Sequence, residues 1–254
     1  MISFVGAGPG DKELITVKGM NILAEADCII YAGSLVNPAL LDYAKEGCAI
    51  HNSATMTLEE VLAVMVENEE RGLHTARLHT GDPSLYGAIK EQFDQLQQLD
   101  IKWEVIPGVS SFSGAAAALN SEYTPAGISQ TLIITRMEGR TPVPEREKIV
   151  NLAKSQSSMC IFLSSSMLED LSAKLIEGGY SADTPAAIVY KVTWPDEKIF
   201  RTTLADLAKV GAENKISKTA LILVGDFLGD DYERSFLYHP EFTTEFRQGK
   251  SSHA

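Results

Sequence analysis

Short apolar runs alternate along the chain with stretches in which apolar residues recur every three or four positions. This pattern predicts strands and amphipathic helices in turn. Residues 2–5, 28–31, 75–79 and 102–106 read as strands in the first half. Between them, residues 16–26 predict a helix with Val17, Met20, Leu23 and Ala24 on one face. Residues 57–71 predict another, with Thr57 and Glu60 at capping-box spacing and Leu58, Val61, Leu62 and Met65 as its apolar stripe. Residues 86–99 and the alanine-rich 108–119 predict two more. Residues 120–130, with Pro125 and Gly127, read as a linker. Beyond it come strands at 131–135, 159–164, 185–191, 198–202 and 220–224, with helices at 145–154 and 168–177. Strand–helix alternation implies parallel sheet with right-handed crossovers. The closely spaced late strands imply a mixed second sheet. The expectation is two α/β domains, 1–122 with a parallel sheet and 123–229 with a mixed one, followed by an irregular tail at 230–254 that carries Phe236, Tyr238 and Phe242.

Length and composition fit this picture, since 254 residues allow two domains each with its own core. No apolar run is long enough to span a membrane, and the first residues lead straight into a strand with no signal-peptide pattern. Cys28, Cys48 and Cys160 are odd in number and far apart, so reduced thiols and a cytoplasmic location are expected. The net charge of −12 argues against a nucleic-acid partner. An anionic small ligand would then need a local cluster of Lys and Arg.

Three strand-flanking loops carry the candidate chemistry. The first, GAGPGD at 6–11, invites comparison with the dinucleotide fingerprint G-x-G-x-x-G. Its third glycine would fall at Asp11, whose charge repels a pyrophosphate, and Pro9 removes an amide from the turn. A nicotinamide cofactor is therefore poorly supported, and a tight turn with no ligand stays open. The second loop, TGDPSLYG at 80–87, holds Asp82 at a strained tip; an Asp-Pro turn without function is the alternative. The third, PGVSS at 107–111, puts Ser110 and Ser111 at a helix start, where they cap the helix or bind a ligand. Cations gather at Arg136 and Arg140, and again at Lys191, Lys198 and Arg201, on strand-flanking segments. There is no nucleophile elbow and no metal-ligand spacing, so no metal site is expected.

Taken in order and spacing, GAGPGD, TGDPSLYG and PGVSS resemble the tetrapyrrole methylase family over residues 1 to about 228. YAGSLVNP (31–38), TRMEGRTPVPE (135–145) and YKVTWPDEKI (190–199) resemble the branch that methylates carbon 11 of precorrin-4, with or without cobalt, on the route to vitamin B12. The resemblance implies a cleft between two α/β domains. It also implies S-adenosylmethionine (SAM) as methyl donor, leaving as S-adenosylhomocysteine (SAH), and a homodimer. Carried over motif by motif, the SAM contacts are Pro9, Gly81, Asp82, Leu85, Ser110 and Ser111, then Leu163, Ala187, Thr219 and Ala220. In this reading the first loop lines a SAM site and a tetrapyrrole trough and cradles no pyrophosphate.

Methyl transfer from a sulfonium to an electron-rich ring carbon is an in-line displacement with a neutral leaving group. The enzyme has to hold the carbon about 3–3.5 Å from the methyl. No catalytic residue is therefore assigned; Tyr31, His79 and Glu138 are the groups that could assist a proton. Arg136, Arg140, Lys191 and Arg201 are the expected partners of the substrate's carboxylates, with Glu138 and Asp196 orienting them. The rival expectations are a sister methylase acting at another ring carbon, a methylase of a macromolecule, and a non-catalytic module holding SAM or a tetrapyrrole.

Overall fold

The computed structural model describes residues 1–250, so the last four residues of the expected tail lie outside the described residues. The chain divides into two compact units: Met1–Ala118 with Lys191–Glu197, and Leu119–Tyr190 with the chain from Lys198 onward.

The first unit runs β1 (Ile2–Gly6), α1 (Val17–Glu25), β2 (Cys28–Tyr31), β3 (Ala49–Asn52), α2 (Leu58–Glu70), β4 (Thr75–His79), α3 (Lys90–Gln98), β5 (Trp103–Ile106) and α4 (Ser111–Leu119). Its sheet has the order β3-β2-β4-β1-β5, and every pairing is parallel. β1 and β4 are buried along their whole length because both faces are covered. On one face Val5, Ile29, Ala76 and Leu78 pack with Ile22 and Leu23 of α1. On the other, Ile2, Phe4, Cys28 and Ile30 pack with Val61 and Met65 of α2 and Leu96 of α3. The Thr57–Glu60 capping box forms as expected.

Several local expectations shift. The buried face of α1 is Gly19, Ile22 and Leu23, while Val17 is 72% exposed. α3 begins at Lys90, not at residue 86, because Tyr86 and Ala88 take left-handed φ of +57° and +49° and cannot continue a helix. β3 was not expected; it is a short, largely exposed edge with no buried face to imprint a period.

The second unit runs β6 (Leu132–Arg136), α5 (Ile149–Ala153), β7 (Ser158–Phe162), α6 (Leu168–Glu177), β8 (Pro185–Tyr190), β9 (Lys198–Thr203), α7 (Leu207–Glu213) and β10 (Ala220–Val224). The sheet order is β6-β7-β10-β8-β9, parallel at β6/β7 and antiparallel elsewhere, hence mixed as expected. Met159, Ile161, Ile188 and Ile222 of the sheet pack with Leu171 and Leu175 of α6 and Leu207 of α7. α7 escaped the periodicity reading because in seven residues only Leu207 and Gly211 are buried. The tail has local order of its own: the Arg247 guanidinium donates to the carbonyls of Leu237, His239 and Phe242, and Phe236 stacks on His239. Among the described residues no helix is long and apolar enough to cross a membrane.

Candidate active site

In the first unit β1 and β4 are neighbours, yet the chain leaves them in opposite directions. β1 leads through α1 to β2, on the far side of β4; β4 leads through α3 to β5, on the far side of β1. Adjacent strands with diverging connections form a switch point, where open α/β sheets place ligands beyond the carboxyl ends of the strands. The GAGPG and TGDP loops leave the sheet there.

The loops are zipped to each other. The Ala7 N–H donates to the His79 carbonyl (2.7 Å), and Gly8 and Gly81 exchange both hydrogen bonds (3.2 and 2.8 Å). Pro9 has no N–H, and the Asp11 N–H donates to Thr193 Oγ1 (2.9 Å). The amides of residues 7, 8 and 11 are thus engaged within the protein. A dinucleotide site needs such amides facing the pyrophosphate, so the geometry removes three of the donors that a nicotinamide reading would use.

Asp82 joins the second loop to the third. Its Oδ2 accepts the Gly108 N–H (2.8 Å), and its Oδ1 accepts the Ser84 N–H (2.9 Å) and the Ser84 hydroxyl. Burial pushes this carboxyl up. The bonds from the Ser84 hydroxyl, the Gly108 amide and the Ser84 amide outweigh it and hold the group below the usual carboxylate range. Asp82→Ala removes all three acceptor contacts and strands the Gly108 amide, so thermal unfolding should register a loss of about 2–3 kcal/mol. Asp82→Asn, which keeps the shape, should lose less.

Around this junction Pro9 is buried, Leu85 is half-buried, and Ser110 begins α4 by accepting the N–H groups of Ser113 and Gly114 on its carbonyl. Neither the Ser110 nor the Ser111 hydroxyl has a hydrogen-bond partner among the described residues, so both are available to a ligand. His79 is 5% exposed, stacks on Phe4, and leaves Nε2 without a partner among the described residues. Burial, with the neighbouring Arg77 charge, pushes its imidazole down to about 3. It is neutral near pH 7.

In the second unit Leu163 follows β7 at φ +52° and is 62% exposed; Thr219 precedes β10 at φ +57°. Strained non-glycine backbone of this kind costs about 1–3 kcal/mol and clusters at ligand sites. Ala220 and Ala187 are buried, the latter at mid-strand opposite Leu223 and Arg201. The cations differ in employment. Arg136 donates to the carbonyls of Met137, Thr141 and Pro142 and so shapes the loop that carries Arg140. Arg140 is exposed and has no hydrogen-bond or ion-pair partner among the described residues. Glu138 faces Lys174.

Arg201 is engaged within the second unit. Its guanidinium donates to the carbonyls of Leu119 (2.7 Å) and Leu228 (3.2 Å). It lines a cavity of about 800 Å³ shared with Glu122, Asp226, Asp230, Asp231 and Glu233. Lys191 belongs to the first unit, not the second; its ammonium pairs with Asp196 (2.6 Å) and lies 5.3 Å from the Trp194 ring centre. Among the described residues no three His, Cys, Asp or Glu side chains gather as a metal site.

Gly108, Asn37 and Trp194 were not singled out from sequence. Asn37 Nδ2 donates to the Gly10 carbonyl (2.8 Å), and Trp194 occupies the space beside Gly10. The available signals were the NP and WP pairs inside YAGSLVNP and KVTWPDEK, which mark turns without saying what they meet.

The family model for tetrapyrrole (corrin/porphyrin) methylases matches residues 1–208. A Methanocaldococcus jannaschii protein named cobalt-precorrin-4 C(11)-methyltransferase is 54% identical over 248 residues, 97% of this chain and 96% of its own. The X-ray structure of a cobalamin biosynthetic enzyme, cobalt precorrin-4 methyltransferase, matches with a TM-score of 0.88 at 46% identity, over 90% of this chain and 96% of that one. A uroporphyrin-III C-methyl transferase from Thermus thermophilus, complexed with S-adenyl homocysteine, shares the fold with a TM-score of 0.76 at 22% identity, over 89% of this chain and 98% of its own.

Proposed function

This chain belongs to the tetrapyrrole (corrin/porphyrin) methylases, and from that premise we propose that it transfers the methyl group of SAM to carbon 11 of cobalt-precorrin-4 in cobalamin biosynthesis. The observation that carries this reading is the 54% identity, end to end, with a relative named for that reaction. When bound, SAM supplies a methyl on a sulfonium, activated for displacement without any further group.

The residues present fit SAM. The Ser110 and Ser111 hydroxyls are unengaged among the described residues, Pro9 offers a buried apolar surface against Gly114 of the same helix, and Leu85 is half-buried next to Asp82. These side chains bind and orient; Asp82 holds the second and third loops in register through the Gly108 amide. Leu163 and Thr219, on strained backbone, are further proposed contacts, as are Ala187 and Ala220. For the substrate's carboxylates we assign Arg140, whose guanidinium is free among the described residues, with Arg136 shaping its loop. Lys191 is a second cation, held by Asp196.

The test is incubation with methyl-labelled SAM and cobalt-precorrin-4, read by mass spectrometry and NMR. One labelled methyl at carbon 11 is expected. A methyl at another ring carbon would make the chain a sister enzyme, and SAH binding without any transfer would make it a binding module. We further propose a cytoplasmic homodimer. The exposed Tyr232, Phe236, Tyr238 and Phe246 of the tail support a partner surface, and light scattering should return twice the chain mass.

A further inference from the structure

The third glycine of GAGPG has no phosphate to approach, so its lack of a side chain needs another cause. Gly10 does not have a left-handed φ, so conformation is not the reason. The cause is the indole of Trp194. A Cβ on Gly10 would overlap Trp194 Cδ1 and stand 2.6 Å from Nε1 and 2.7 Å from the Val192 carbonyl oxygen.

Trp194 lies in Lys191–Glu197, the connection from β8 to β9, which packs with the first unit. Beside the indole contact, Thr193 Oγ1 accepts the Asp11 N–H at 2.9 Å. Val192 and the Pro9 ring press together on Gly114 of α4, each 3.2–3.3 Å from where a Cβ would stand. On the other side Asn37 grips the Gly10 carbonyl. The GPGD turn is therefore held by side chains at Gly10 and Asp11, and Val192 shares the surface of Gly114 with Pro9.

The segment is itself braced for this task. Lys191 and Thr193 sit at φ +46° and +63°, conformations that persist only when surrounding contacts over-determine them. Those contacts are the Thr193 N–H to Glu197 Oε2 bond (2.6 Å), the Lys191–Asp196 pair, and the Lys191 ammonium over the indole.

We propose that Trp194 is a positioning residue, which sets Pro9 for SAM by filling the space that Gly10 leaves open. The inference rests on the reading of Pro9 as a cofactor contact. In this role the indole acts through the turn it packs against.

Calorimetry with SAH on the full chain tests it. Trp194→Ala should weaken SAH binding about tenfold or more, and Trp194→Phe, which keeps a flat ring against Gly10, should recover most of that. With substrate, the KM for SAM should rise while kcat changes little, a split that general destabilisation does not produce. Thr193→Val, a milder loosening, should weaken SAH about threefold. A second readout needs no altered arm. In Trp103→Phe the only tryptophan left is Trp194, and SAH should change its emission. Wild-type affinity in Trp194→Ala, or unchanged emission from the single-tryptophan protein, would overturn the positioning role. If the wild-type chain binds no SAH, the cofactor reading itself falls, and this inference with it.

Discussion

Gly108→Ala should destabilise the protein by about 3 kcal/mol or more and abolish SAH binding, whereas Gly81→Ala should cost only about 1–2 kcal/mol. The two glycines do different work. Gly81 has φ +59°, but a Cβ there would make ordinary contact, 3.5 Å from Ser110 Cα, so only conformational strain is charged. Gly108 has no left-handed φ; its problem is space. A Cβ would overlap the Gly81 carbonyl oxygen and stand 2.7 Å from Gly6 Cα and 2.9 Å from Gly6 C. From the other side, a Cβ on Gly6 would stand 2.5 Å from Gly108 Cα. All these neighbours are backbone, at the ends of β1, β4 and β5, and backbone cannot swing aside. Forcing them apart also pulls the Gly108 amide from Asp82. Thermal unfolding and SAH titration of the two variants give the order directly. A Gly81→Ala loss larger than that of Gly108→Ala would show that φ, not close approach, governs the junction.

The second large effect is acid sensitivity. An imidazole free in an unfolded chain titrates near 6.5, and that of His79 is pushed down to about 3, chiefly by burial. Between those values the unfolded state holds the extra proton. The His79 contribution is therefore complete above pH 6.5 and is lost as pH falls. The loss is about 1.4 kcal/mol per pH unit, or about 4 to 5 kcal/mol by pH 3. His74, lowered by burial and then by the N-terminal charge, works in the same direction. Urea unfolding at pH 7.5 and 4.5 isolates His79 when compared with His79→Phe, which keeps a ring against Phe4. The wild type should lose at least 2 kcal/mol more than the variant over that interval. Parallel profiles would mean that the imidazole takes its proton without leaving its place.

Within the first sheet β1 and β2 were legible because they are mainly apolar runs almost wholly buried, and a buried run announces itself without a partner. β3 was not, since an exposed edge strand is set by the neighbour it pairs with. The start of α3 was misplaced because Tyr86 and Ala88 give no sign in sequence of a left-handed backbone. In the site, Pro9 and Asp11 already spoke against a dinucleotide, through a missing amide and a negative charge. What sequence could not say is that the neighbouring amides face another loop. The same holds for the cations. Arg136, Arg140 and Arg201 look alike in sequence, yet two of them spend their donors on main-chain carbonyls and one does not.

By itself, then, the sequence determined the alternation of strands and helices, the parallel and mixed sheets, and the three loops that identify the family. These follow from periodicity and from turn residues, which act within a few positions of themselves. Tertiary structure alone decided that Gly6 and Gly108 are glycines for lack of room, that Gly10 is a seat for Trp194 and, among the described residues, that His79 Nε2 is buried without a partner and Arg140 keeps a free guanidinium. Each of these depends on what stands opposite a residue, and the opposite surface comes from distant chain that only folding brings near.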